Sequence, residues 1–374
     1  MKVFLLSAIT LLTFSCTNLM IKGAILRNDQ RTFRKNIKNV DVNWVDPNGK
    51  SYIEDAITEG NLQMVELLIE NRVNINAENK FGETPLLIAS CFGRKEIVIR
   101  LLHSGASANT RNSSGTTPLI CASFHGFAEI TKILIQSGAS INDQDKEGRN
   151  ALMHASSFGK LEITKILIEE KANLNLFDKY TWNALTIAID KNNFEIAKAL
   201  IEAKIDLDAR DEDDLTALID AAKKDKTNFL ELLVSAGANI ESKDKDGLTA
   251  LLYASKKNQT KAIEMLLKAK ANPETKDRYG RNSMNIAAKE GHVEAVKMLL
   301  QFHVSPNEKD HFGITPLMHS VIRNHTEMAT LLIESNANLF SRNHYGFSAL
   351  DYAILSGNKK IIDLLKEKMG KSVE

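Results

Sequence analysis

Gly82-Glu83-Thr84-Pro85-Leu86-Leu87-Ile88-Ala89-Ser90 returns 33 residues later as Gly115-Thr116-Thr117-Pro118-Leu119-Ile120-Cys121-Ala122-Ser123. The frame extends both ways: Gly49, Gly148, Gly247, Gly280, Gly313 and Gly346 keep it, and Thr181 and Asp214 fill its two remaining positions. Seven residues after each frame position stands Ala56, Ala89, Ala122, Ala155, Ala188, Ala221, Ala254, Ala287 or Ala353, with Ser320 the exception. Nineteen residues after each stands a leucine, from Leu68 and Leu101 to Leu332 and Leu365. Ten units in register without an insertion mean stacked supersecondary units, each burying its apolar face on its neighbours.

Each unit has a physical reading. A polar segment ends in the frame glycine, whose freedom at positive φ suits a tight turn. Thr-Pro-Leu or a relative follows, as in Thr315-Pro316-Leu317 and Thr249-Ala250-Leu251. The threonine caps a helix, and proline fits the first position because no N–H is needed there. Eleven residues after the frame position that helix must stop, at Gly60, Gly93, Gly126, Gly159, Asn192, Asp225, Asn258, Gly291, Asn324 or Gly357. All are types that tolerate the left-handed conformation. A second helix follows with apolar residues at helical spacing, as in Val296-Leu299-Leu300.

The pattern resembles the ankyrin repeat over residues 49–374. The resemblance implies an all-α solenoid of about ten full repeats, each a helix–turn–helix with a short β-hairpin tip, and a C-terminal cap. Residues 16–48 read as a degenerate N-terminal capping repeat: Arg27, Arg31, Arg34, Lys35 and Lys38 supply a polar outer face, and Asn43 stands 33 residues before Asn76. In the family a histidine follows Thr-Pro-Leu and helps tie the tip to the helix. It is absent from all ten units here, which predicts more loosely held tips.

Composition sets outer bounds. A chain of 374 residues suggests two or three domains, and the unbroken frame replaces these with one quasi-one-dimensional array. The net charge of +1 gives no global attraction for nucleic acid, and 43% hydrophobic residues exclude general disorder. Three cysteines cannot scaffold a chain this long.

At the N-terminus, Met1-Lys2 precedes the apolar stretch Val3–Leu12 and then Thr13-Phe14-Ser15-Cys16. A basic start, a short apolar run and small residues read as a secretory signal over residues 1–15. The run is too short to span a bilayer, which takes roughly 20 residues. A cysteine at this point resembles the lipobox of bacterial lipoproteins. That implies export to the periplasm or cell envelope and a lipid anchor on Cys16. Thr13 and Phe14 depart from the lipobox pattern, so simple cleavage before Cys16 stays open.

No catalytic constellation emerges. There is no phosphate-binding glycine loop, Gly-x-Ser-x-Gly, His-Glu-x-x-His or calcium loop. His311 and His344 stand one repeat apart, roughly 10 Å by helix-packing distance, too far to share a zinc ion. Cys91 and Cys121 fall on adjacent first helices at unequal frame positions, nine and six, which favours separate thiols. The expectation is therefore a non-enzyme with no metal, cofactor, nucleic acid or small-molecule substrate. The resemblance implies a protein partner held by the concave groove and tips. The groove positions give Phe92, Phe124, His125 and Phe158, then Lys223, Lys224, Lys256 and Lys257; tips add Tyr180, Trp182, Tyr279 and Phe312. Alternatives within binding are an inhibitor or immunity-type protein for a co-exported enzyme, or a cytoplasmic regulator if residues 1–15 are no signal.

Overall fold

In the computed structural model, which describes residues 16–371, helices start where the capping side chains stand. Ser51, Thr84, Thr117, Asn150, Asn183, Thr216, Thr249, Asn282, Thr315 and Ser348 each accept a backbone N–H from the first turn of a first helix. Those helices stop at the ten expected residues, Gly60 to Gly357, all at positive φ. Thr181 and Asp214 hold the frame position at φ 59° without glycine.

Two compact units divide the chain, one reaching Ala203 and the other starting at Lys204. The first opens with α1 (16–26), α2 (Gln30–Asn36) and a 3₁₀ turn (Ile37–Asn39). Five helix pairs follow: α3 (Tyr52–Thr58) with α4 (Leu62–Glu70), α5 (Pro85–Cys91) with α6 (Lys95–His103), α7 (Pro118–His125) with α8 (Ala128–Gln136), α9 (Ala151–Ser157) with α10 (Leu161–Glu169), and α11 (Ala184–Asp190) with α12 (Phe194–Glu202). The second unit has five more: α13 (Ala217–Lys223) with α14 (Thr227–Ser235), α15 (Ala250–Lys256) with α16 (Thr260–Lys268), α17 (Ser283–Glu290) with α18 (Val293–Gln301), α19 (Pro316–Ile322) with α20 (Thr326–Glu334), and α21 (Ala349–Ser356) with α22 (Lys359–Lys371). Within each unit first helices stack on first helices and second on second. The frame alanines, Ser320 and the ten frame leucines form the seam, every one with 0% exposure. Deleting such a leucine to alanine costs about 2–5 kcal/mol in a packed core.

The expected β-hairpin tips are not there. Among the described residues no strand forms, and the only bridges are isolated ones, Val45–Ser51 and Arg342–Ser348. The reason is how few backbone bonds a tip makes. At one tip Asn79 Oδ1 accepts from Phe81 N (2.9 Å) and Glu83 N (3.0 Å), closing the turn on a side chain, and one backbone bond joins its arms, Asn79 N to Glu83 O (3.0 Å). Asp145, Asp178, Asp211, Asp244, Asp277, Asp310 and Asn343 do the same. Neighbouring tips then share one backbone bond, such as Ser113 N to Phe81 O (2.8 Å) or His311 N to Tyr279 O (3.0 Å), where a sheet needs a series.

The cap keeps its frame in the loop but slips in the helices. Asn74 N donates to Asn43 Oδ1 just as Ser107 N donates to Asn76 Oδ1, both over 31 residues. Yet Asn28, at φ 55°, and the capping Asp29 stand 32 residues before Gly60 and Asn61.

Candidate functional site

Adjacent first helices are offset by three residues, close to one helical turn. A residue nine after one frame position therefore meets the residue six after the next. Cys91 and Cys121 hold these two positions, and the offset that separates them in frame brings them together: they form a disulfide, with Cα atoms 5.1 Å apart. This overturns the expectation of two thiols. One repeat on, Phe124 meets His154 with ring centroids 5.9 Å apart. In the second unit Lys223 Nζ lies 5.9 Å from the centre of the Tyr253 ring.

The residue at position six also reaches back to its own tip. His154 Nε2 donates to Asp145 Oδ2 (2.8 Å), Tyr253 OH to Asp244 Oδ2 (2.7 Å) and His319 Nε2 to Asp310 Oδ2 (3.0 Å). In the last repeat Asn343 Nδ2 donates to Tyr352 OH (2.7 Å). These bonds tie the tip to the helix without the missing family histidine, so those four tips are held after all. Burial acts to raise the Asp145 and Asp310 carboxyls, but the histidine and backbone amide bonds outweigh it and hold both below the usual carboxylate range. The Tyr253 hydroxyl is pushed upward by burial and by its bond to Asp244.

The predicted groove residues separate into three places. Phe124 is half-buried, 4.2 Å from the Phe158 ring and 4.8 Å from the exposed His125. Phe92 does not extend this cluster; it lines a cavity of about 300 Å³ with Phe81, Ile88, Cys91, Lys50 and Lys80. Tyr180 is exposed under Lys179 Nζ at 5.0 Å, and Trp182 is half-buried with its backbone N–H donating to Asp178 Oδ1 (3.0 Å).

In the second unit Lys223, Lys224, Lys256 and Lys257 are all exposed, and Lys224 pairs with Asp220 at 3.0 Å. Tyr279 is flanked by the guanidinium carbons of Arg278 (4.8 Å) and Arg281 (4.7 Å). Tyr279, Phe312 and Lys256 line one cavity of about 340 Å³ with His319 and Lys289. Burial and the nearby Arg281 lower the Lys289 ammonium from its usual range. His154, Tyr253, His319 and Lys289 were not among the candidates from sequence. Their shared signal is the position six or nine after the frame residue, with an Asp or Asn nine before the residue at six.

Cys16 is exposed and its thiol is free. Residues 1–15, where the signal reading falls, lie outside the described residues. Among the described residues no group of three or more His, Cys, Asp or Glu converges for a metal, and no helix is long and apolar enough to cross a membrane.

No curated protein shows significant similarity to the chain. The family described as "Ankyrin repeats (3 copies)" matches residues 21–112, 53–145, 119–211, 207–277 and 284–374. The first of these matches begins at residue 21, ahead of the ten helix pairs. The chain belongs to the ankyrin-repeat family.

Proposed function

We propose that this chain is a non-enzymatic scaffold that binds a protein partner through its first-helix ends and tips, after export and lipid attachment at Cys16. The observation that carries the binding reading is the Phe124–Phe158 pair, with Phe158 left 48% exposed at the end of a rigid helix. Its neighbour His154 is already locked to Asp145, so the aromatic surface is ordered before a partner arrives. Aromatic anchors of this kind contribute about 2 kcal/mol or more each at protein interfaces. In an affinity purification from cell envelopes, Phe124→Ala/Phe158→Ala protein keeps its helical circular dichroism and loses the partner captured by wild type. Capture of the same partner by both would place the interface elsewhere.

Two observations support export. The Cys91–Cys121 disulfide suits an oxidising compartment. Cys16 is accessible for modification. Metabolic labelling with palmitate should mark wild type and leave Cys16→Ser unlabelled; equal labelling removes the anchor from the proposal.

A further inference from the structure

We infer that the N-terminal cap is a membrane-facing surface built to lie on anionic lipid headgroups. In α1, Cys16, Leu19, Met20, Gly23, Leu26 and Arg27 follow one another at spacings of one or three and share one side of the helix. The other side belongs to the core: Asn18, Ile21, Ala24 and Ile25 are buried, and Tyr52 OH donates to Asn18 Oδ1 at 2.9 Å. The free side exposes Leu19 (62%), Met20 (55%) and Leu26 (47%). Gly23 gives the Arg27 guanidinium a flat seat, with Nη2 only 3.1 Å from where a Cβ would stand. Within the same cap, α2 and the 3₁₀ turn bury Phe33 and Ile37 and expose Arg31, Arg34, Lys35 and Lys38. The segment from Cys16 to Asn39 carries six cations and one carboxylate, Asp29; Lys22 is taken by Asp46 (2.5 Å) and Asp55 (3.5 Å) and Arg34 lies 3.8 Å from Glu70, so the cationic character rests chiefly on Arg27, Arg31, Lys35 and Lys38.

Solubility alone asks for a polar cap, and three large exposed apolar side chains work against it. Nucleic acid would use the cations and give Leu19, Met20 and Leu26 nothing to do. An anionic bilayer uses both sets, cations at the headgroups and apolar side chains at the acyl boundary. Charge and apolarity together select that occupant. The inference rests on the lipid-anchor reading in one respect: with Asn18 buried two residues on, a lipid at Cys16 would draw this side to the bilayer without slack. The surface itself does not need the lipid.

The test uses the full chain carrying Cys16→Ser, so that no lipid contributes, sedimented with phosphatidylglycerol–phosphatidylcholine vesicles and with phosphatidylcholine alone. Binding is expected to the anionic vesicles only, and to fall with added salt. Arg31→Gln/Arg34→Gln/Lys35→Gln/Lys38→Gln should lower the partition by roughly fivefold per cation. Leu19→Ser/Met20→Ser/Leu26→Ser should weaken it as well. Unchanged thermal melts confirm that both sets fold, since all seven side chains are exposed. Equal binding to neutral vesicles, or indifference to either set, overturns the inference. So does displacement by a DNA duplex that persists in the serine variant, which would assign the patch to nucleic acid. Missing palmitate on wild-type Cys16 would defeat the anchor reading and leave this measurement untouched.

Discussion

Removing the Cys91–Cys121 disulfide should loosen two repeats and spare the rest. The bond spans 30 residues, and loop-closure entropy for that span gives about 3.6 kcal/mol of stabilisation through the unfolded chain. The native side of the balance changes little, because Cys121 is 8% exposed and an alanine there still packs as a small apolar group. In a repeat array each unit leans only on its neighbours, so the loss falls on openings that release α5 to α8. Hydrogen exchange read by mass spectrometry, on full-length wild type and Cys91→Ala/Cys121→Ala, resolves this by peptide. Protection across Pro85–Gln136 should fall by up to a few hundredfold, the factor that corresponds to about 3.6 kcal/mol, whereas α15 to α18 should be unchanged. Native unreduced protein should also alkylate at one cysteine, Cys16. Three reactive thiols, or equal protection in both proteins, would refute the reasoning.

Two further outcomes follow from the tips. Asp145 and Asp310 have folded pKa values below those of the unfolded chain, so their contribution is fully present above the unfolded value, near pH 4, and is lost as pH falls through the folded values. Melts of Asp145→Asn/Asp310→Asn should therefore lose less stability than wild type between pH 4 and the acid limit; parallel curves would contradict the assignment. Gly148→Ala should destabilise more than Gly346→Ala: both pay roughly 1–2 kcal/mol for a left-handed alanine, but only at Gly148 would the new Cβ stand 2.9 Å from a neighbouring backbone nitrogen, that of Lys179. Equal shifts in melting would show that tip-to-tip contact is not what constrains the glycine.

Much of the fold was legible because its signals are local. A threonine three residues before an amide, or an asparagine where a helix must turn left-handed, acts within one turn of chain, and every expected cap and stop is found. The tips depart from the expected hairpins for an equally local reason: each turn closes on an Asn or Asp side chain, and neighbouring tips share a single backbone bond. The site was less legible because it depends on how one helix lies against the next. By frame position alone Cys91 and Cys121 are mismatched and Phe92 is continuous with Phe124. The three-residue offset reverses the first conclusion, and Phe92 instead lines a cavity with Phe81 and Ile88. The slip in the cap was hidden because Asn43 keeps the frame that Asn28 and Asp29 have left.

The same offset has a consequence for how such a chain can diversify. The offset contacts in the groove are written half in one repeat and half in its successor, as Phe124 with His154 or Lys223 with Tyr253. The heritable unit of 33 residues is therefore not the unit of recognition; the seam is. Exchanging a single repeat rewrites two seams at once, and recombination between repeats yields new pairings from old side chains without a mutation in any of them.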